Sequence, residues 1–211
     1  MKKEKIIIIG AGGHAGSVID SLSDNDKYEI YGVIDNNLKP GTYFNEVKVL
    51  GNDAFLNNII AEGINKCFVA VGNVGDISVR KRLVQNMSNL GFEFINVVDK
   101  TAIISKTTKI GKNVFIGKGV IINTNCEIDN HAIINTGSVI DHDCKIGEFS
   151  HLSPRSVLAG NVVIGYGVHI GIGTTIIQGV IVGDNSLVGA GSVVLSDLGS
   201  NQKRWGVIHE K

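Results

Sequence analysis

The 211-residue chain is poor in the residues that mark several common classes of protein. It has 3 cysteines, 2 prolines and 6% aromatic residues, and its 20 basic residues are balanced by 20 acidic ones. Three cysteines do not make a disulfide framework. A balanced charge gives no basic excess of the kind that favours nucleic acid or an anionic membrane surface. We therefore expect partners that are neither nucleic acid nor membrane.

Long hydrophobic runs are also missing. The apolar run near the start is four isoleucines, Ile6 to Ile9, and Gly10 ends it. Such a run is too short for a signal peptide or a membrane span. Hydrophobic residues still make up 43% of the chain, which is enough to bury a core. These features predict a cytoplasmic, folded protein.

Glycine, in contrast, is abundant at 27 residues, and in the second half of the chain it accompanies a six-residue repeat. An aliphatic residue returns at every sixth position from Ile104 to Val188, and a small residue often follows it. Helices and strands have periods of 3.6 and 2, and neither explains a period of six. A coil of three short strands does, because each side takes one hexad and points its aliphatic residue inward. The repeat predicts a left-handed parallel β-helix over residues 98–195, followed by a C-terminal tail, 196–211.

The coil also predicts which residues stack, because three hexads complete one turn. Cys126 and Cys144 are three hexads apart and should stack inside the prism as small core residues. His151 and His169 have the same spacing and should stack on one exterior face.

Residues 1–97 follow a different pattern. A short buried strand leads into Gly10-x-Gly12-x-x-Ala15, a turn that brings phosphate close to backbone N–H groups at a helix N-terminus. A second strand ends in Asp35, at the place where such folds bind a ribose hydroxyl. Fewer than 100 residues hold only half of a dinucleotide fold. We therefore expect this small Rossmann-like domain to bind a nucleotide monophosphate or diphosphate rather than NAD.

His142 lies in the hexad at 140–145, where it should point outward near a turn. Its neighbour Asp143 should favour the charged imidazole and raise its pKa toward the working pH. That pair suits a general base that takes a proton from an attacking amine or hydroxyl. From spacing alone, an ordinary solvated surface histidine remains equally open.

Five stretches in combination resemble a known family over almost the whole chain. They are Ile-Gly-Ala-Gly-Gly-His (9–14), Val-Ile-Asp (33–35), Val-Gly-Asn (71–73), Ile-Asn-Thr-Gly-Ser-Val-Ile-Asp-His-Asp-Cys-Lys-Ile-Gly (134–147) and His-Leu-Ser-Pro (151–154). The family is the sialic-acid O-acetyltransferase and nucleotide-sugar N-acetyltransferase group of bacterial surface-glycan pathways. Within it, the chain looks most like enzymes that acetylate the 4-amino group of a nucleotide-linked 4-amino-4,6-dideoxy sugar. The resemblance implies acetyl-CoA as co-substrate, no metal, and a homotrimer with active sites between neighbouring β-helices.

The resemblance also implies residue roles. His142 would be the general base and Asp143 would orient it. Residues implied for the nucleotide sugar are Gly12, Gly13, His14, Asp35, Asn36, Gly72, Asn73 and Asn135. Residues implied along the acetyl-CoA path are His151, Gly160, Ile172, Gly173, Gly189 and Gly191. Relatives usually end in a Gly-x-Pro-Ala-Lys stretch, which this chain lacks, so the resemblance implies no role for the tail.

Three other functions remain as alternatives. A sialic-acid or precursor O-acetyltransferase would share the fold and the base. A zinc hydratase of the γ-carbonic-anhydrase type would use three histidines, for which His142, His151 and His169 are candidates. A non-catalytic nucleotide-sugar-binding module would keep the fold without the reaction.

Overall fold

The computed structural model describes residues 3–23 and 25–209, which form two compact units. The first unit runs to Gly72 and also includes Ser78–Val97, while the second comprises Asn73–Ile77 and the chain from Val98 onward. Within the described ranges, no helix combines the length and the apolar character needed to cross a membrane.

The first unit is an α/β structure built on one six-stranded sheet. Its elements are β1 (Glu4–Ile9), α1 (Gly13–Leu22), β2 (Tyr28–Ile34), β3 (Tyr43–Phe44), β4 (Val47–Gly51), a 3₁₀ turn (Asp53–Phe55), α2 (Leu56–Ala61), β5 (Lys66–Val69), α3 (Ser78–Asn89) and β6 (Glu93–Phe94). The strand order is β3-β4-β2-β1-β5-β6, with β3 antiparallel to β4 and the other pairs parallel. Strand β1 is central. Strands β2, β4 and β3 lie on one side of it, and β5 and β6 lie on the other.

The four isoleucines of β1 are at most 2% exposed, as expected for a central strand covered on both faces. Gly10 follows them with φ +101°, a conformation that favours glycine. A Cβ at Gly10 would lie 2.6 Å from the Val71 side chain, so this turn needs glycine for space as well.

The second unit is a coil of two-residue parallel strands arranged on three faces. Face 1 consists of Val97–Val98, Phe115–Ile116, Ile133–Ile134, His151–Leu152, His169–Ile170, Leu187–Val188 and Lys203–Arg204. Face 2 consists of Ile103–Ile104, Ile121–Ile122, Val139–Ile140, Val157–Leu158, Thr175–Ile176, Val193–Val194 and Val207–Ile208. Face 3 consists of Lys109–Ile110, Glu127–Ile128, Lys145–Ile146, Val163–Ile164 and Ile181–Val182.

The second residue of each strand points into the coil. From Ile116 to Val194 these side chains are at most 2% exposed and form one continuous core. Backbone N–H groups bond carbonyls of the next rung, as Glu127 does to Cys144 (2.9 Å), so every rung is tied to the one that follows. Glycine after a strand is needed where rungs approach, because a Cβ at Gly171 would lie 2.5 Å from the Ala190 nitrogen.

The predicted fold class, a small Rossmann-like unit followed by a left-handed parallel β-helix, is confirmed. The coil is longer than the repeat indicated, because residues 97–98 pair before it and residues 203–204 and 207–208 pair after it. The expected tail therefore contributes strands to faces 1 and 2. The spacing of these added strands departs from six residues because the connection at 195–202 is irregular. This connection forms an isolated bridge from Leu198 to Val182.

Candidate functional site

A cavity of about 550 Å³ opens at the carboxyl ends of β1, β2 and β5 in the first unit. This is the switch point of the sheet, where open α/β folds bind their ligands. The residues that line it are Ile9, Gly10, Ala11, Gly12, Gly13, His14, Ile34, Asp35, Asn36, Asn37, Asp53, Ala70, Val71, Gly72, Val79, Arg82 and Leu83. The structure thus brings together six of the eight residues expected for a nucleotide sugar.

The glycine turn presents bare backbone to this cavity. Gly12 is the N-cap of α1 and no side chain caps the helix there. A Cβ at Gly12 or Gly13 would meet nothing within 4 Å, so both glycines face open space. The first N–H groups of a helix carry partial positive charge. The turn is therefore suited to hold a phosphate group.

Asp35 braces the glycine turn. Its Oδ2 accepts a hydrogen bond from the Ala11 N–H at 2.9 Å, and its Oδ1 accepts one from the Asn37 N–H at 2.8 Å. Each carboxylate oxygen has a further lone pair, which could accept a hydrogen bond from a ribose hydroxyl. The acid thus connects the end of β2 to the phosphate-type turn.

Sequence reasoning missed Asp53 and Arg82, which line the same cavity. Asp53 opens the 3₁₀ turn after β4, and Arg82 lies on α3. Neither belongs to a short motif, and only the folded unit brings them to the cavity that Asn36 also lines. No regular spacing in the sequence identifies Asp53 or Arg82.

Asn73 and Asn135 are the two expected sugar-site residues that lie outside this cavity. Asn73 belongs to the second unit, is only 7% exposed, and its carbonyl oxygen is 2.9 Å from His151 Nδ1. Asn135 lies on the coil, where its Nδ2 is 3.3 Å from His151 Nε2.

His142 lies in the turn between faces 2 and 3, and Asp143 holds its ring. Its Nδ1 is 2.8 Å from Asp143 Oδ2, and 43% of its side chain is exposed. The ring's other nitrogen, Nε2, forms no hydrogen bond within the described residues. The hydrogen bond that His142 Nδ1–H donates to Asp143 raises the pKa of His142 above its ordinary value, and Asp141 adds to this through its charge. Nε2 is thus the nitrogen available to accept a proton.

The carboxylates around His142 are themselves held. Asn125 donates to Asp143 Oδ1 at 3.2 Å, and Asn123 donates to Asp141 Oδ1 at 2.8 Å. The pKa of Asp143 lies below its usual value, first because of His142 and then because of Asn125. Asp143 adopts φ 59°, a left-handed turn conformation in which Asp and Asn are over-represented. Asn125 and Asn161 occupy the same position in the neighbouring turns, with φ 57° and 59°.

Gly160 lies directly against the His142 ring. It stands three hexads after His142, on the next rung, and a Cβ there would be 2.4 Å from His142 Cε1 and 2.6 Å from Nε2. A side chain at this position would displace the imidazole. Gly160 is one of the residues expected along the acetyl-CoA path, and the structure places it against the His142 ring.

His151 is fixed in a different way. A carbonyl oxygen cannot donate, so Nδ1 must donate to Asn73, which leaves Nε2 of the neutral ring to accept from Asn135 Nδ2. The His151 and His169 rings stack edge-to-face with centroids 4.9 Å apart, as their spacing predicts.

Both histidines lie outside the coil core on face 1, as expected, but His169 is covered there and is only 6% exposed. The segment Asn73–Ile77 contacts face 1, where Asn73 meets His151 and Gly75 approaches Leu187. Burial lowers the pKa of His169, which favours its neutral form.

The remaining residues expected for acetyl-CoA lie mostly in the turns between faces 1 and 2. These are Ile172, Gly173, Gly189 and Gly191. Ile172 is 53% exposed, and a Cβ at Gly189 would lie 2.7 Å from the Cβ of Trp205. Apart from His151 on face 1 and Asn73, the expected site residues of the second unit thus fall into two groups, one on each edge of face 2. His142, Asp143 and Gly160 are on one edge, and Asn135 with the four residues above is on the other.

Cys126 and Cys144 lie in the coil interior with no exposed surface, as expected. Their thiols donate to the carbonyls of Asp141 (3.0 Å) and Ala159 (3.2 Å). In the described part of the chain, no three His, Cys, Asp or Glu side chains of one copy group to hold a metal ion.

Three family models match the chain. The PglD N-terminal domain matches residues 5–87, the bacterial transferase hexapeptide (six repeats) matches 107–142, and the hexapeptide repeat of succinyl-transferase matches 156–196. Together they cover both units.

Solved structures extend this similarity to nearly the full length. PerB of Caulobacter crescentus, in complex with CoA and GDP-perosamine, is 37% identical with a TM-score of 0.88, covering 96% of this chain and 94% of that one. The acetyltransferase domain of PglB from Neisseria gonorrhoeae FA1090, in complex with acetyl coenzyme A, is 29% identical with a TM-score of 0.88 and 97% coverage of both chains. WeeI from Acinetobacter baumannii AYE, 23% identical with a TM-score of 0.80, covers 95% of this chain and 96% of its own and shares the fold.

An uncharacterised protein of Acanthamoeba polyphaga mimivirus is 35% identical over 107 residues, or 51% of this chain. The matched region spans only 20% of that viral protein.

Proposed function

The chain belongs to the hexapeptide-repeat acyltransferases that acetylate nucleotide-linked amino sugars, and we propose that it acetylates the 4-amino group of a nucleotide-linked 4-amino-4,6-dideoxy sugar with acetyl-CoA. The product would serve bacterial surface-glycan biosynthesis. The observation that carries the proposal is the His142 imidazole. Asp143 fixes its Nδ1, and its Nε2 is without a partner among the described residues.

In the proposed reaction the sugar amine attacks the thioester carbonyl and forms the C–N bond, which gives a tetrahedral oxyanion. The oxyanion then collapses and the C–S bond breaks. His142 Nε2 takes a proton from the amine and passes it to the leaving thiolate. Asp143 stabilises the imidazolium that forms in between. Backbone N–H groups stabilise the oxyanion. No covalent enzyme intermediate is needed, since Cys67, Cys126 and Cys144 are all buried.

We assign binding roles within the same proposal. The cavity of the first unit holds the nucleotide, with phosphate at Gly12, Gly13 and His14, ribose at Asp35, and Asn36 and Gly72 beside them. Asn73 and Asn135 act on the coil through their contacts with His151. The acetyl-CoA path comprises His151, Gly160, Ile172, Gly173, Gly189 and Gly191. Relatives of this chain are solved with CoA and GDP-perosamine or with acetyl coenzyme A, which supports both ligand classes.

We propose further that the enzyme is a homotrimer formed through face 2. The outward side chains of this face are a column of β-branched residues, and several are exposed: Ile103 at 66%, Ile121 at 42%, Val157 at 39% and Val193 at 36%. Face 3 instead carries charged residues such as the Lys109–Glu127 pair (2.9 Å). Packing face 2 against copies of itself would bring the His142 edge of one copy to the opposite edge of the next. That arrangement unites the two groups of expected site residues.

The test is release of CoA thiol from acetyl-CoA in the presence of separate acceptors. GDP-perosamine comes first, followed by UDP- and dTDP-linked 4-amino-4,6-dideoxy sugars and free sialic acid. We expect turnover with one 4-amino nucleotide sugar and a loss of about 10² to 10⁴ in rate for His142→Ala. Turnover with sialic acid alone would instead assign O-acetylation. A near-normal rate for His142→Ala would remove the base assignment.

A further inference from the structure

The cavity of the first unit has polar side chains besides those of its glycine turn, and these can identify the base of the nucleotide. With phosphate at the glycine turn and ribose at Asp35, the base lies beyond the end of β2. The side chains there are Asn36, Asp53 and Arg82. The inference that follows rests on the proposed function, because it assumes that the cavity holds a nucleotide.

Asn36 holds Asp53 by two hydrogen bonds. Asn36 Nδ2 donates to Asp53 Oδ2 at 3.2 Å, and the Asp53 N–H donates to Asn36 Oδ1 at 3.2 Å. The Asn36 amide is therefore used in orienting the acid rather than free to read a base. Asp53 Oδ1 accepts no hydrogen bond from the described residues, and Oδ2 keeps a second lone pair. The base thus meets an acceptor-only group.

Arg82 supplies the complementary donors. Its side chain lines the main cavity and, with Asp53, a neighbouring cavity of about 320 Å³. Within residues 3–23 and 25–209 its guanidinium has no ion pair, so its fork of N–H groups is available to a ligand. The base end of the cavity therefore combines one oriented carboxylate with one free guanidinium.

We propose that this site selects guanine, so that the acceptor is a GDP-linked amino sugar. Guanine presents two adjacent donors, N1–H and the N2 amine, which match a carboxylate. It also presents O6 and N7 acceptors, which arginine bonds in a bidentate manner. Uracil and thymine carry a single N3–H between two carbonyl oxygens, and a carboxylate repels those oxygens.

Adenine and cytosine fit less well. Adenine has one amine donor, and the neighbouring N1 is an acceptor. N1 would face the carboxylate, which is also an acceptor. Cytosine offers its N4 amine to Asp53, but its neighbouring N3 is again an acceptor. Only guanine places two N–H groups side by side toward the acid.

The first experiment measures binding of GDP, UDP, dTDP, CDP and ADP to the full chain by calorimetry. One good bidentate pair discriminates by about 5- to 150-fold, so GDP should bind tighter than every other diphosphate by a factor in that range. Equal or tighter binding of UDP or dTDP would overturn the proposal. This series needs no variant and so does not depend on whether a substitution folds.

The second experiment exchanges the acid for its amide. In Asp53→Asn the new amide N–H opposes the guanine N2 amine but matches the C2 carbonyl oxygen of xanthine. We expect GDP binding to weaken about 5- to 150-fold and xanthosine diphosphate to bind tighter than GDP. Asp26→Asn is the matched control, because Asp26 is exposed, belongs to the same unit and lies outside the cavity. An unchanged preference for GDP in Asp53→Asn would exclude Asp53 as the reader of the base.

Arg82→Gln should lower GDP affinity by a similar factor, while Lys81→Gln, on the exposed neighbouring position of α3, should not. If both substitutions lowered GDP affinity equally, Arg82 would act only as one of several surface charges. That result would contradict its proposed contact with the base.

The outcomes separate this inference from the proposed function. Tight UDP binding with acetylation of a UDP-linked amino sugar would keep the acetyltransferase and reject guanine. GDP preference that switches to xanthosine diphosphate in Asp53→Asn, without acetyl transfer to any acceptor, would keep guanine and reject the reaction.

Discussion

The edge of the coil that carries His142 and the face that carries His151 each fix one imidazole nitrogen with an oxygen, but only the oxygen at His142 belongs to a charged group. At His142 the oxygen belongs to a carboxylate and the ring is 43% exposed, so the pKa is raised. At His151 the oxygen is a backbone carbonyl, and the ring stacks on His169, whose pKa is lowered by burial. A carboxylate stabilises a transferred proton, whereas a carbonyl only selects a tautomer.

Position in the repeat does not decide the chemistry of either histidine. Both residues lie outside the coil core, one and a half hexads apart. Their partners come from different places, since Asp143 is the next residue and Asn73 is distant in sequence. The proposed base is the one whose partner carries charge, and the proposed cofactor-side histidine is the one whose partner is neutral.

The largest expected effect comes from separating the two edges of face 2. Val157→Lys places a charge in the middle of the exposed β-branched column, where packing against another copy would bury it at high cost. We expect a monomer by size-exclusion chromatography with light scattering, and near-complete loss of acetyl transfer.

Ile181→Lys is the matched control for the oligomer. It makes the same change at a 48% exposed outward position on face 3. It should leave both assembly and rate unchanged. A monomeric Val157→Lys protein with full activity would show that one copy contains the whole site and would contradict the trimer proposal.

The next largest effect is expected for Gly160→Ala. The new methyl would lie 2.4 Å from His142 Cε1, so the ring must move away from its position beside Asp143. The backbone of Gly160 is not in the left-handed region, so alanine itself is tolerated. We expect kcat/KM to fall toward the level of His142→Ala, measured by CoA release.

A double variant tests whether the effect of Gly160→Ala passes through the histidine. If it does, His142→Ala combined with Gly160→Ala should be no slower than His142→Ala alone. Additive losses would mean that Gly160 contributes to the reaction independently, as a residue that contacts acetyl-CoA directly would.

Asp143→Asn should have an intermediate effect that depends on pH. Asparagine suits the left-handed turn, as Asn125 and Asn161 show at equivalent positions. It can still accept from His142, but it removes the charge. Hydrogen bonds to charged groups are the strong ones, so we expect a loss of about ten- to hundredfold in kcat/KM.

The pH profile of Asp143→Asn shows in which direction the pKa of His142 moves. A general base is active when deprotonated, so the rate falls as pH drops through the His142 pKa. Asp143 raises that pKa. Its replacement should therefore shift the acidic limb of kcat/KM to lower pH. A limb that stays in place would mean that His142 is not the titrating group.

Much of the coil could be predicted from the sequence because its period is strict. The repeat placed the core aliphatics, the stack of His151 on His169 and the outward turn at His142. The same three-hexad rule relates Gly160 to His142, although the sequence analysis linked Gly160 only to the cofactor path.

The features that were missed depend on contacts distant in the chain. His169 is buried on face 1, where the segment Asn73–Ile77, which carries no repeat, contacts His151 and approaches Leu187. Asp53 and Arg82 come from a 3₁₀ turn and a helix that meet only in the folded first unit. The added strands at 203–204 and 207–208 follow an irregular connection that interrupts the hexads.

The smallest effect is expected for His151→Asn, which separates the roles of the two histidines. Because the proposed base is His142, and the Nδ1 partner of His151 is a carbonyl oxygen without charge, the loss of His151 should not move the acidic limb of the pH profile. As a residue proposed to lie along the acetyl-CoA path, it should instead raise KM for acetyl-CoA severalfold, with a smaller change in kcat. Steady-state kinetics across pH measure both quantities. A shift of the acidic limb in His151→Asn, with the limb of Asp143→Asn unchanged, would reverse the roles assigned to the two histidines.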